Sequence, residues 1–168
     1  MIQIAGIEND SIVDGPGLRM CIFMQGCDKS CEGCHNPESI PLVGGESVSV
    51  ETLFEKISKN PLLSGVTFSG GEPLLQAREL LPLASLIVGA GLDLTIYTGD
   101  TLEMILEKND SDVMELISYS DILIDGPFVL AEKSLTIPFR GSKNQRILDS
   151  KKSLDAGSAI LSDNPAWG

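Results

Sequence analysis

Three cysteines stand close together in the run Gly26-Cys27-Asp28-Lys29-Ser30-Cys31-Glu32-Gly33-Cys34-His35-Asn36-Pro37. The spacing is C-x3-C-x2-C, which puts three thiolates on one tight loop. Three thiolates can hold an iron–sulfur cluster but cannot complete it, since a four-iron cluster has four corners and one iron then stays open. An open metal position suits catalysis, whereas a structural site is closed. Zinc is the rival, with Cys27, Cys31, Cys34 and His35 as a Cys3His set. Against zinc, His35 adjoins Cys34, and adjacent residues seldom both reach one metal. A plain electron-carrying ferredoxin would want a fourth cysteine. The remaining one, Cys21, lies in the apolar run Met20-Cys21-Ile22-Phe23-Met24, where a small buried hydrophobe is expected and no chemical role is assigned.

A second candidate is Ser69-Gly70-Gly71-Glu72-Pro73. Two glycines after a strand let a ligand approach the backbone. Glu72 places a carboxylate at a helix start, and Pro73 fits the first helical turn. The plainer reading is an ordinary strand-to-helix turn with a favourable N-terminal acid. Asp14-Gly15-Pro16-Gly17 and Asp125-Gly126-Pro127 read as turns, the second also setting an acid at a strand end.

The elements that would position these groups alternate between strand and helix. Strands are expected at 18–24, 66–68, 92–97 and 121–125, and helices at about 50–59, 74–89, 101–108 and 111–118. Pro82 weakens the continuity of the second helix, because proline removes a backbone hydrogen bond. Residues 140–149 suggest a loop and a short strand, and 156–168 look frayed. Strands separated by helices mean βαβ units and a parallel sheet, with right-handed crossovers placing the helices on one side if the strand order is sequential. Four or five strands cannot close an eight-stranded barrel, so the expected fold is an open, incomplete (βα)n barrel with a curved, mostly parallel sheet. In such folds chemistry sits at the C-terminal strand ends. The cysteine loop, the Ser69–Pro73 run and Thr98-Gly99 each follow a strand, so the order of elements alone brings them to one site.

The bulk composition is compatible with this. A length of 168 residues argues for one domain, 1–168, with 149–168 as a C-terminal extension. There is no run of eighteen apolar residues, so no membrane span is expected. The start Met1-Ile2-Gln3-Ile4 has no basic leader, which gives a cytoplasmic expectation. With it, four cysteines read as metal or redox chemistry rather than a disulfide framework. A net charge of −12 disfavours nucleic acid as a partner, because binding it rests on neutralising phosphates. Lys133, Arg140, Lys143, Arg146, Lys151 and Lys152 nonetheless cluster in sequence against Asp149 alone, a patch suited to a carboxylate, a phosphate or an acidic partner surface, or to a solvated face.

Together, C-x3-C-x2-C and Gly70-Gly71-Glu72-Pro73 resemble the radical S-adenosylmethionine (SAM) superfamily. Asp14-Gly15-Pro16-Gly17-Leu18-Arg19 ahead of the cysteines resembles the glycyl-radical-enzyme activases. Gly33 before the third cysteine, Asp125-Gly126-Pro127-Phe128 and Arg140-Gly141-Ser142-Lys143-Asn144-Gln145 are similar to the activating proteins of anaerobic ribonucleoside-triphosphate reductase. The resemblance covers about residues 5–148; Ile96–Asp100 matches loosely, and 149–168 lie outside it. It implies a [4Fe–4S] cluster on Cys27, Cys31 and Cys34. It implies SAM at the open iron, lined by Gly33, Cys34 and His35, with Ser69, Gly70, Gly71 and Glu72 receiving the methionyl amino end. It implies reductive cleavage of SAM to methionine and a 5′-deoxyadenosyl radical, which takes hydrogen from a glycine of the partner reductase. Flavodoxin or ferredoxin would supply the electron, and the basic segment 133–152 would help dock the partner. The alternatives are an activase of another glycyl-radical enzyme, such as pyruvate formate-lyase, a small deazaguanine-forming radical SAM enzyme, and a non-catalytic metal or electron-transfer module.

Overall fold

The computed structural model describes residues 1–29, 31–34 and 37–167. Seven strands form one sheet: β1 (Ile2–Ser11), β2 (Arg19–Met24), β3 (Glu46–Val48), β4 (Gly65–Gly70), β5 (Asp93–Tyr97), β6 (Ile122–Asp125) and β7 (Arg146–Asp149). The helices are α1 (Val50–Ser58), α2 (Ala77–Gly89), α3 (Leu102–Lys108), α4 (Ser111–Tyr119) and α5 (Ser150–Ala156). The strand order is β3-β1-β2-β4-β5-β6-β7. Strands β2, β4, β5 and β6 pair in parallel and in sequence, while β1 and β7 run antiparallel to their neighbours. Strand β3, antiparallel to β1, shares the direction of the parallel four. The sheet is therefore mostly parallel and open, as the alternating pattern predicts.

Its two faces differ in chemistry because side chains alternate along a strand. One face sends Met20, Ile22, Val66, Phe68, Leu94, Ile96 and Leu123 into a core shared with Leu53 and Ile57 of α1, Leu80, Leu83 and Ile87 of α2, Leu102 and Ile105 of α3, and Leu116 and Ile117 of α4. Right-handed crossovers between successive parallel strands place those helices on the same side. The other face carries the buried Arg19, Cys21, Thr67 and Thr95. A smaller apolar group of Ile122, Ile124, Ile147 and Trp167 lies apart from the main core.

The helix starts follow from their caps. Ser49 Oγ accepts from the Thr52 N–H at 3.1 Å, Thr101 Oγ1 from Met104 at 3.3 Å, and Asp110 Oδ1 from Asp112 at 2.9 Å. The helix expected over 74–89 is in two parts, a 3-10 turn at Pro73–Gln76 and then α2, which runs through Pro82.

Two expectations need correction, and one element is added to them. The sheet has seven strands rather than four or five, because β1 and β3 carry no clear strand pattern in the sequence. Register shifts near Ile4/Gly6 and Glu8/Ser11 break the alternation of β1, and β3 is three residues long. Segment 150–156 is helical, capped by Asp149 at 2.9 Å from the Lys152 N–H and closed by Gly157 at φ 68°. The tail beyond it is not frayed: Leu161 bridges Leu148, Ser162 N–H donates to the Ile147 carbonyl at 2.9 Å, and Trp167 is buried. Among the described residues no helix is long and apolar enough to cross a membrane.

Candidate functional site

The loops that leave the C-terminal ends of β2, β4, β5 and β6 open into one cavity of about 610 Å3. Cys27, Cys31 and Cys34 line it, as do Ser69, Gly70, Gly71 and Glu72 from the end of β4. Thr98 and Gly99 follow β5, Gly126 and Phe128 follow β6, and Phe139, Arg140 and Gln145 complete the far side. The structure thus brings the three strand-end motifs together. Gly33 does not line the cavity. Its φ is 75°, and a Cβ there would meet Leu130 Cδ1 at 2.9 Å and Phe128 Cε1 at 3.3 Å, so it lets the cysteine loop pack against the segment after β6. His35, expected beside the ligand, lies outside the described residues.

Backbone bonds hold the cysteine loop at both ends. Gly26 N–H donates to the Ser39 carbonyl at 2.7 Å and Cys27 N–H to Ile40 at 3.0 Å. Gly71 N–H reaches the Met24 carbonyl at 2.9 Å and Glu72 N–H the Gly26 carbonyl at 2.8 Å, clamping β4 to the loop. This explains the double glycine. Gly70 has φ 94°, and a side chain on it would run into the Met24 amide. A Cβ on Gly71 would strike the Gly26 carbonyl. The glycines admit backbone rather than ligand.

The donor set has the chemistry of an iron–sulfur site. Lys29 N–H points at Cys27 Sγ from 3.4 Å, a contact that favours the thiolate. Burial nevertheless pushes the free Cys27 thiol above its usual value, against that bond. Cys21 is a different case: it is fully buried in β2, does not line the cavity, and its thiol is raised far up, chiefly by burial. Among the described residues no three Cys, His, Asp or Glu side chains already form a metal cage. Three loop thiols beside an open cavity of this size match a group with an unfilled coordination position better than a closed four-ligand ion.

Glu72, expected at the methionyl amino end, is tied into the protein. It is almost wholly buried, and both carboxylate oxygens are used within the protein. Oε1 accepts from the Thr98 hydroxyl at 2.9 Å and from Leu74 N–H at 3.2 Å, and Oε2 accepts from Gly99 N–H at 2.8 Å. The Lys29 ammonium lies 3.5 Å from Oε2 and 3.1 Å from Asp100 Oδ1, and also pairs with Asp28 at 2.9 Å. Burial pushes the Glu72 carboxyl up, opposed by Lys29 and the hydrogen bonds. Burial works against the Lys29 charge, but Glu72, Asp28 and Asp100 outweigh it and hold the ammonium above its ordinary value. Glu72 therefore ties the β4 end to the β5 end, with the Lys29 ammonium beside it. A distant carboxylate–lysine contact such as that of Lys29 leaves no local signal in sequence.

The Arg140–Gln145 run is a clamp. Gln145 Oε1 accepts from the Gly141 and Ser142 N–H groups at 2.8 and 3.2 Å, and its Nε2 donates to the Gly126 carbonyl at 3.1 Å. Asn144 Nδ2 donates to the Pro127 carbonyl at 2.8 Å. The two runs Asp125–Phe128 and Arg140–Gln145 thus form one structure after β6.

The basic patch is smaller than its sequence suggests. Arg146 Nε donates to Asp125 Oδ1 at 3.0 Å, and Nη2 reaches Glu103 at 2.7 Å. Lys151 pairs with Asp121 at 3.2 Å and Lys152 with Asp163 at 3.6 Å. Their counter-charges come from elsewhere in the fold, leaving Lys133 and Lys143 exposed without an ion pair among the described residues. Asp14, read as a turn residue, lines the cavity with Glu8 and Asp10, and its carboxylate accepts from the Ser11 hydroxyl at 2.6 Å.

Comparison with known proteins agrees with this geometry. Residues 13–148 match the family model described as "4Fe-4S single cluster domain". The pyruvate formate-lyase-activating enzyme of Listeria monocytogenes is 38% identical over 158 residues, which are 88% of this chain and 61% of that protein. The chain thus spans less than two thirds of that relative's length. The anaerobic ribonucleoside-triphosphate reductase-activating protein of bacteriophage T4 is 34% identical over 143 residues, 80% of this chain and 86% of that protein. Its counterpart in Haemophilus influenzae is 29% identical over 150 residues, covering 81% and 90%.

Proposed function

The chain belongs to the 4Fe-4S single cluster domain family, among the glycyl-radical-enzyme activases, and on that premise we propose that it activates an anaerobic ribonucleoside-triphosphate reductase. The observation that carries the reading is the shared cavity, with three thiols on one wall and the Arg140–Gln145 clamp on the other. Cys27, Cys31 and Cys34 would hold the [4Fe–4S] cluster. When bound, the cluster supplies one electron for cleavage of SAM to methionine and a 5′-deoxyadenosyl radical, which takes a hydrogen atom from a glycine of the partner and leaves 5′-deoxyadenosine and a glycyl radical.

This chain's own residues do the rest. Gly70 and Gly71 let the cysteine loop and β4 meet at backbone distance, which fixes the thiols relative to the ligand space. Ser69 and the β4-end backbone, rather than the occupied Glu72 carboxylate, would meet the methionyl amino end. Glu72 and Lys29 would brace the floor between β4 and β5. The cavity opens at the strand ends, as a polypeptide substrate requires. Flavodoxin or ferredoxin would deliver the electron, and the setting would be the cytoplasm.

The second reading, an activase of pyruvate formate-lyase, is favoured by the 38% identity to such an enzyme. One experiment separates them. The anaerobically reconstituted, reduced protein is mixed with SAM and with either the reductase or pyruvate formate-lyase, and glycyl radical is followed by electron paramagnetic resonance. A radical on the reductase supports the proposal, and one on pyruvate formate-lyase alone supports the second reading. Protein that stays colourless with stoichiometric zinc after reconstitution would end both.

A further inference from the structure

We propose that Arg140 is a ligand-binding residue of the cavity, presenting its guanidinium edge to a carboxylate of the bound ligand; the identity of that ligand rests on the proposed function. Arg140 lines the cavity, and its Nε is buried with no acceptor among the described residues. Its Nη1 donates to the Gln145 carbonyl at 3.2 Å. It takes part in no ion pair among those residues. The arginines of β2 and β7 differ in this respect. Arg19 is bound to Asp93, Thr67 and Thr95, and Arg146 to Asp125 and Glu103. A buried donor left without an acceptor is costly, and a ligand carboxylate in the cavity would supply one.

The neighbouring structure holds Arg140 in this position. Phe139 has φ 61°, a left-handed conformation uncommon for a bulky side chain. The Tyr97 hydroxyl donates to the Phe139 carbonyl at 2.5 Å, and the Phe139 ring meets Trp167 edge-on with centroids 5.0 Å apart. On the other side, Gln145 fixes Gly141 and Ser142. The planar guanidinium fork matches a carboxylate in two parallel hydrogen bonds, and a receptor already fixed loses little freedom on binding. Charge points the same way. The other cation lining the cavity, Lys29, is engaged by Asp28, Glu72 and Asp100, which leaves Arg140 as the cavity cation that no acid among the described residues neutralises.

The carboxylate has two possible sources, the methionyl end of SAM or an acidic group of the polypeptide substrate. The test uses cluster-loaded wild type, Arg140→Gln and Arg140→Lys, each checked by thermal unfolding. Equilibrium dialysis gives affinities for SAM and for its decarboxylated analogue, and steady-state activation gives the KM for the reductase. For the first source, R140Q binds SAM about tenfold or more weakly, loses preference over the decarboxylated analogue by the same factor, and R140K recovers part of it. For the second, SAM affinity is unchanged while the KM for the reductase rises at constant kcat. Either result supports the assignment. Unchanged SAM affinity together with unchanged KM overturns it while leaving the proposed function standing. Cluster-loaded wild type that binds no SAM overturns the proposed function, and this inference with it.

Discussion

Replacing Glu72 tests whether its carboxylate is a structural tie rather than a ligand receptor. In Glu72→Ala, the Gly99 and Leu74 N–H groups and the Thr98 hydroxyl all lose their acceptor. A buried donor left unpaired costs roughly 1–3 kcal/mol. The Thr98 hydroxyl can turn, and water from the adjoining cavity can reach part of the gap, so the sum is about 2–5 kcal/mol. At about 2–4 °C per kcal/mol for a chain of this size, the melting point should fall by about 4–20 °C. The measurement is anaerobic thermal unfolding of cluster-free protein, so that metal binding plays no part. A loss below about 1 kcal/mol, within the range of ordinary surface substitutions, would refute the reasoning. Glu72→Gln adds a test by pH. Burial raises the Glu72 carboxyl in the folded state, so its contribution to stability is complete below the ordinary glutamate value of about 4.3 and is lost as pH rises through the raised value. Wild type should therefore lose stability relative to E72Q with increasing pH; the opposite slope would show that Lys29 and the hydrogen bonds outweigh burial.

Changing Cys27, Cys31 or Cys34 to Ala should each abolish iron loading, read as iron per chain after anaerobic reconstitution. Cys21→Ala should load normally and lose about 1–3 kcal/mol in urea unfolding, because Cys21 is fully buried in β2. Gly71→Ala should cost about 1–3 kcal/mol and reduce iron loading, since its Cβ collides with the Gly26 carbonyl of the cysteine loop. Arg146→Gln should destabilise by about 2–3 kcal/mol, less than a fully buried pair, because the nearly inaccessible Asp125 loses a partner that is itself 34% exposed. Lys133→Gln with Lys143→Gln should leave stability and SAM cleavage intact and raise the KM for the reductase in a salt-dependent manner; an unchanged KM at low salt would remove these lysines from docking.

What the sequence reveals depends on how local each determinant is. Strands β2, β4, β5 and β6 are short runs of apolar residues bounded by turns, and α1, α3 and α4 begin at Ser49, Thr101 and Asp110, whose caps act within three residues. Those elements, their order and the meeting of their C-terminal ends are therefore readable. Strand β1 is not, because its irregular pairing with β2 disrupts the alternation. In the site, the cysteine spacing and the double glycine are contiguous and legible. The use of Glu72 is not, because its partners Thr98, Gly99 and Lys29 lie 26, 27 and 43 residues away along the chain. The same holds for the basic segment: Arg146 is neutralised by Asp125 and Glu103, which a reading of neighbouring charges does not see.

The only tryptophan in these 168 residues is Trp167, buried against Phe139, whose own residue lines the cavity. The chain thus has an intrinsic fluorophore one ring behind the wall of the cavity whose other side carries the three thiols. Such a chromophore absorbs broadly where indole emits, so energy transfer should quench the emission as the cluster assembles. The tail carries an optical gauge of the site, readable without labels and in the same sealed cuvette as the reconstitution.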